Sequence, residues 1–285
     1  MSPLSCTKLA FSFDKNPLLT DINLDFKSGQ FVGLIGANGS GKSTLLQLLL
    51  GLIKQQSGTV NLNGVDIHAH KRRDIAKQLA FVPQSIELPY AFTVQALVAM
   101  GRNPYLGPFE LETAEDSRLI QEAMLKTDIT HLRERSVTTL SGGEKQRVII
   151  ARALAQQAAT ILLDEPISSL DICHQIETLQ LIQSLTQSGK LAITALHDLN
   201  LAASYCDRLI LLGETQPNDD SGRSHSSRTI IADGTPEQVL NRENLAKYFF
   251  INADIIKTDD KISLANISPV KKHQDHDAKP LTNVQ

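Results

Sequence analysis

Residues Gly36-Ala37-Asn38-Gly39-Ser40-Gly41-Lys42-Ser43-Thr44 fit the pattern G-x-x-x-x-G-K-[ST], and their flanks restrict what the chain can become. An apolar, β-prone run from Phe31 to Ile35 enters this stretch, and a leucine-rich run from Leu45 to Leu50 leaves it. A strand, a tight loop and a helix in that order turn successive backbone N–H groups inward at a helix N-terminus, where partial positive charge favours phosphate. Glycines let the backbone approach phosphates without Cβ clashes. Lys42 is placed to reach the β- and γ-phosphates, and Ser43 to offer a hydroxyl to Mg²⁺. A Gly/Ser-rich turn that happens to end in lysine is the plain alternative, and the flanking strand and helix argue against it. The expected ligand is a nucleoside triphosphate.

Further strand signals suit an α/β core. Lys8 to Phe26 alternates in short apolar runs broken near Asp14 and Pro17, which predicts an N-terminal hairpin, and Asn63-Gly64 marks a second one. Leu79–Val82, Thr160–Leu163 and Leu191–Leu196 read as buried strands with helices between them, hence a mostly parallel sheet covered on both faces. Leu209–Leu212 and Thr229–Ala232 suggest a further hairpin, joined by a polar loop around Asp219 that is expected to be mobile. Between Ser85 and Thr138 helical periodicity dominates, so this segment reads as a helical insertion.

Composition narrows the class. At 285 residues with 41% hydrophobic content, the chain can bury a substantial core, yet no apolar run approaches the ~18 residues of a membrane span. A net charge of −3 gives no electrostatic reason to expect nucleic acid. Cys6, Cys173 and Cys206 are widely spaced, which argues against a disulfide or zinc framework and for a reducing compartment. No signal peptide is visible, and Leu4-Ser5-Cys6 reads as a chance match to a lipidation box. His273 and His276 lie in a polar, mixed-charge stretch and read as solvated side chains.

Two motifs add chemistry. Ile161-Leu162-Leu163-Asp164-Glu165-Pro166 puts adjacent carboxylates at the C-terminal end of a buried strand, the edge where open α/β sheets bind ligands. Asp164 would continue the Mg²⁺ coordination begun by Ser43, and Glu165 would orient and deprotonate an attacking water. Two acids opening a turn is the alternative for that pair alone. Leu140-Ser141-Gly142-Gly143-Glu144 has capping-box spacing between Ser141 and Glu144. Capping leaves the double glycine unexplained, since each glycine inside a helix costs on the order of 1 kcal/mol relative to alanine. A bare helix N-terminus is a second phosphate site. Two such sites on different helices are most simply explained if each completes a nucleotide site on a neighbouring subunit.

These motifs, with Ser168-Ser169-Leu170-Asp171 and His197, stand in the order of an ABC transporter ATP-binding subunit, which the chain resembles from about Lys8 to Ala232. The resemblance implies an α/β P-loop NTPase core with a mixed sheet, an N-terminal antiparallel β region and an inserted helical subdomain. It implies ATP and Mg²⁺ as ligands, and a head-to-tail homodimer closing around two MgATP. It divides the chain into a core over 1–84 and 139–250, a helical subdomain over 85–138, a short extension over 251–268 and a disordered tail over 269–285. Gln84 would touch Mg²⁺ or the water and link the insertion to the core. Asp171 would cross the dimer interface, and His197 would bond the γ-phosphate and align the water. Phe13 falls where an adenine is stacked, with a place in the hairpin core as its other reading. Ile167 departs from the family's threonine after Asp-Glu-Pro.

Thr93 to Tyr105, Leu170 to Gln175 and His197 to Arg208 further resemble importers of iron–siderophore, haem and cobalamin. That implies a peripheral protein at the cytoplasmic face of a membrane, a separate transmembrane permease and an extracytoplasmic binding protein. Zinc, manganese or another solute is an alternative cargo. A soluble ABC ATPase acting on nucleic acid or ribosomes is a poorer match, because there is no long coiled-coil insert, second ATPase unit or basic run.

Overall fold

The computed structural model of the protein describes residues 2–14, 16–84, 91–215, 227–258 and 261–270. Strands β1 (Leu4–Phe13) and β2 (Asn16–Phe26) pair antiparallel as the N-terminal hairpin. β3 (Phe31–Ile35) then runs through the glycine-rich loop into helix α1 (Lys42–Leu49). β4 (Ser57–Leu62) lies on the free side of β1 and turns at Asn63-Gly64 into β5 (Val65–Asp66). Helix α2 (Arg72–Gln78) leads into β6 (Leu79–Val82).

The insertion carries α3 (Val94–Ala99), a short 3₁₀ turn at Met100–Arg102 and α4 (Ala114–Lys126), and returns to the core through α5 (Gly142–Ala155). Alternation follows: β7 (Thr160–Asp164), α6 (Ile172–Gln187), β8 (Leu191–Ala195), α7 (Leu199–Tyr205) and β9 (Arg208–Thr215). β10 (Ser227–Gly234) folds back antiparallel on β9. Helices α8 (Pro236–Val239) and α9 (Arg242–Tyr248) precede the pair β11 (Ile251–Thr258) and β12 (Lys261–Pro269).

Among the described residues, ten strands form one mixed sheet in the order β5-β4-β1-β2-β10-β9-β3-β8-β7-β6. β9, β3, β8, β7 and β6 are parallel neighbours, while β5, β4, β1 and β2 make the antiparallel region. All five residues of β3 are buried, and they divide by strand periodicity between two cores. Phe31 and Ile35 face the core of α3–α7, whereas Val32 and Leu34 face α1 and the N-terminal hairpin. A strand covered on both faces reads as an unbroken apolar run, as this one does.

The segment Gly101 to Tyr105 fastens the insertion to α5. Arg102 Nε donates to Asp116 of α4 at 2.8 Å, Arg102 Nη1 donates to the Ala155 carbonyl at 2.9 Å, and the guanidinium stacks on Tyr105. The Tyr105 hydroxyl donates to the Gln156 carbonyl at 3.0 Å. A Cβ on Gly101 would stand 2.3 Å from the Arg152 carbonyl oxygen, so only glycine permits this approach to α5.

The expected short extension holds two antiparallel strands, β11 and β12, and their pairing runs one residue past its expected end, to Pro269, which faces Ile251. The reason is period-two burial: Ile262 and Leu264 turn one face of β12 into the core, and the Asn200 side chain both accepts from Leu264 N and donates to its carbonyl. Cys6 is buried in β1, its thiol pushed up to about 12 by burial, and with Leu4 it packs inside the sheet, in keeping with Leu4-Ser5-Cys6 as a chance match to a lipidation box. The loop around Asp219, the first residues of the insertion and the stretch with His273 and His276 lie outside the described residues.

Candidate nucleotide site

At the C-terminal end of β3 the chain turns through Gly36, where an added Cβ would lie 2.4 Å from the Leu212 carbonyl oxygen. Gly41 caps α1 in the left-handed region at φ 94, with no side chain bonded to the first-turn N–H groups. Those donors are therefore open to an anion. Lys42 is buried, and its ammonium donates to the carbonyls of Gly36 at 2.9 Å and Ala37 at 3.2 Å. Burial lowers its pKa, opposed by the nearby Glu165 and Asp164 carboxylates. The Ser40 hydroxyl is buried without a hydrogen-bond partner among the described residues.

The neighbouring strands bring acids to the same edge. Ser43 Oγ donates to Asp164 Oδ1 at 3.0 Å, joining residues 121 positions apart. Asp164 is 5% exposed, and burial raises its pKa, with the Glu165 charge adding to the shift and the Ser43 bond opposing it. A buried carboxylate and hydroxyl in contact are a donor set suited to Mg²⁺, which binds through one or two carboxylates while phosphate and water fill its other positions. Among the described residues no cluster of three or more acidic, His or Cys side chains could hold a metal alone.

Glu165 leaves β7 at φ 48, which carries its carboxylate off the strand axis. Gln84 Nε2 donates to Oε2 at 2.7 Å, and His197 Nε2 hydrogen-bonds Oε1. Both oxygens are held, one from the end of β6 and one from the end of β8. A cavity of about 460 Å³ opens over this group, lined by Phe13, Leu18, Asn38, Gly39, Ser40, Gly41, Lys42, Ser43, Thr44, Gln84, Glu165 and His197. Phe13 is 59% exposed and meets Phe11 edge-on at 5.0 Å, so its ring is on the cavity and not in the hairpin core. Ile167 is buried in the core, where an aliphatic side chain suits the position.

Ser141, Gly142, Gly143 and Asp171 do not line this cavity. They form a second group. Ser141 Oγ accepts from Glu144 N at 3.2 Å, and Glu144 Oε2 accepts from Ser141 N at 2.8 Å, completing the capping box of α5. A Cβ on Gly142 would meet only Ser169 Cβ, at 4.0 Å, so packing within the chain does not demand a glycine there. Gly143 lies against Leu170, one residue before Asp171. Asp171 caps α6, accepting from His174 N at 3.0 Å and bonding His174 Nδ1 at 2.8 Å, which holds its pKa down.

Leu18 of β2 is a cavity residue that sequence reasoning missed. Its signal was weak: it follows Pro17 in a hairpin whose register was unknown before pairing.

Residues 19–168 match the ABC transporter family. A cobalamin import ATP-binding protein of Halobacterium salinarum is 37% identical over 268 residues, which cover 94% of this chain. The chain spans 63% of that relative's length. An iron(3+)-hydroxamate import ATP-binding protein of Bacillus subtilis is 37% identical over 257 residues, 90% of this chain and 91% of the relative. Among solved structures, an ABC transporter assigned to the metal-chelate type, in an inward-facing conformation, aligns at TM-score 0.76 and 28% identity, covering 95% of this chain and 99% of its own.

Proposed function

The chain belongs to the ABC transporter ATP-binding family, and from that premise we propose that it hydrolyses ATP to drive a membrane importer of a metal chelate. Ferric siderophore is the first choice of cargo, with haem and cobalamin as close relatives. The observation that carries the hydrolytic reading is Glu165, held through both carboxylate oxygens by Gln84 and His197 at the rim of the P-loop cavity. In this reading the α1 N-terminus and Lys42 bind the phosphates, and Phe13 stacks the base. Ser43 and Asp164 hold Mg²⁺, which when bound polarises the phosphate oxygens. Glu165 accepts the proton of the attacking water, while His197 and Gln84 fix the carboxylate and the water's approach.

The bare α5 N-terminus at Ser141-Gly142 supports a shared site, in which each subunit's segment covers the phosphates bound by the other. The permease would dock in a groove of about 480 Å³ between insertion and core, lined in part by Leu52, Phe81, Pro83, Met100 and Asn103. No helix among the described residues is long and apolar enough to cross a membrane, so transport in this reading requires separate spanning subunits. An extracytoplasmic binding protein would deliver the cargo to them.

Cargo is tested in a deletion strain. Uptake of radio-iron supplied as a chelate should be lost, with zinc and manganese uptake retained. Normal uptake of ferric chelates, haem and cobalamin, with a defect for another solute, would sink the cargo assignment and leave ATP hydrolysis standing.

A further inference from the structure

A second cavity, about 590 Å³, opens on the other side of the P-loop from Glu165 and His197. The strand order explains the separation: β8 and β7 flank β3 on the hydrolytic side, and β9 and β10 flank it on the other. Asn38, Leu212, Arg228, Lys247, Tyr248 and Phe250 line the second cavity. Tyr248 and Phe250 give it an apolar wall, and Phe250 is 63% exposed, whereas the Leu212 side chain is turned into the core. Arg228 and Lys247 give it two cations; Glu214 shares the rim and stands opposite Arg228 in the β9–β10 register. Asn38 and Ser40 line both cavities, so a body seated over the nucleotide side borders the second cavity directly.

The same chain carries a matching projection. Ile172 is the first residue of α6 and is 76% exposed. It follows Asp171, whose side chain is 66% exposed, and Glu177 lies one and a half turns on. The Ser169–Leu170 stretch that packs on Gly142 and Gly143 ties this projection to the Ser141 segment. An apolar knob flanked by carboxylates thus stands beside the segment that would cover a partner's phosphates.

Resting on the head-to-tail dimer proposed above, we propose that the second cavity receives the first turn of α6 from a second copy of this chain. Ile172 of the partner subunit would seat against Tyr248 and Phe250, with the partner's Asp171, which caps α6, and the partner's Glu177 facing Arg228 and Lys247. Opposite charges on the two surfaces favour this register over one that juxtaposes like charges. Under two-fold symmetry the contact forms twice per dimer.

Cys173, next to Ile172, makes the proposal testable, because it is exposed while Cys6 and Cys206 are buried. Lys247→Cys or Phe250→Cys in a Glu165→Gln background, incubated with MgATP and a mild oxidant, should give a covalent dimer on a non-reducing gel. Adding Cys173→Ser should abolish it. Size-exclusion chromatography of the same samples separates the two readings. A dimer in solution with no cross-link at either position overturns this contact and keeps the dimer, whereas a monomer under MgATP overturns both. Independently, Ile172→Ala should weaken ATP-dependent dimerisation about tenfold with monomer ATP affinity unchanged. An unaltered dimer, or a cavity filled instead by a free anion that protects the new cysteine in the monomer, overturns the proposal.

Discussion

Gln84 donates its side-chain amide to Glu165 at 2.7 Å across 81 positions of sequence. Gln84 follows Pro83 at the end of β6, where the chain leaves the core for the helical insertion. One oxygen of the candidate general base is thus bound by a residue at that crossing. In the proposed transporter, movement of the insertion against the core would change the hydrogen bonding of Glu165, giving a permease docked on the insertion a route to the hydrolytic group.

Glu165→Gln should slow hydrolysis by at least ~10²–10⁴, the usual cost of losing a general base. ATP affinity should be largely kept, because Lys42 and the α1 N-terminus are untouched. A dimer should accumulate under MgATP, since the closed state can no longer discharge. Phosphate release and size-exclusion chromatography read the two effects, and wild-type turnover in the variant would remove Glu165 from its role.

Ser141→Arg and Lys42→Ala should fail differently. Ser141 is outside the P-loop cavity, so the arginine should abolish hydrolysis with little change in the ATP affinity of the monomer. Lys42→Ala should weaken that affinity itself, by removing a buried cation from the cavity. Equal loss of monomer affinity in both variants, measured by nucleotide titration at low protein concentration, contradicts a shared site.

Phe13→Ala should weaken ATP binding by about 1–3 kcal/mol, the range for base–aromatic stacking, and Phe13→Tyr should restore it. Because the ring is mostly exposed, thermal stability of the nucleotide-free protein should change by no more than about 0.5 kcal/mol. A large fall in melting temperature with ATP affinity intact would return Phe13 to the hairpin core.

Asp116→Asn should destabilise the protein at neutral pH by roughly 3–5 kcal/mol, because it leaves Arg102 buried without its carboxylate. Hydrogen bonds from the Thr113 side chain and backbone, then from Arg102, hold the Asp116 pKa down from 3.8 to about 2. A depressed carboxylate contributes stability above its unfolded pKa and loses it as pH falls through the folded one. The gap between wild type and variant should therefore narrow from pH 4 to pH 2 in urea denaturation. A gap independent of pH over that window would show that the pairing is not its source.

What the sequence determined by itself is local. The P-loop strand, turn and helix follow from an apolar run, glycines and a leucine-rich run within twenty residues. The α5 capping box needs only Ser141 and Glu144, three positions apart, and their mutual bonds form within that turn. The Asn63-Gly64 hairpin is likewise specified by its own dipeptide.

Only tertiary structure decided what depends on strand order and on which faces become covered. Sequence order does not reveal that β3 sits between β8 and β9 with β7 beyond β8, the arrangement that brings Ser43 within reach of Asp164 and separates the two cavities flanking the P-loop. Phe13 had two readings because an aromatic at a hairpin end serves a core or a surface equally well until its neighbours pack. The β11–β12 pair escaped notice because its alternation is short and β12 is buried against α7, an element distant from it in the chain. Parallel strands are joined by crossovers, so their neighbours are set by packing the helices on both faces of the sheet and not by proximity along the chain.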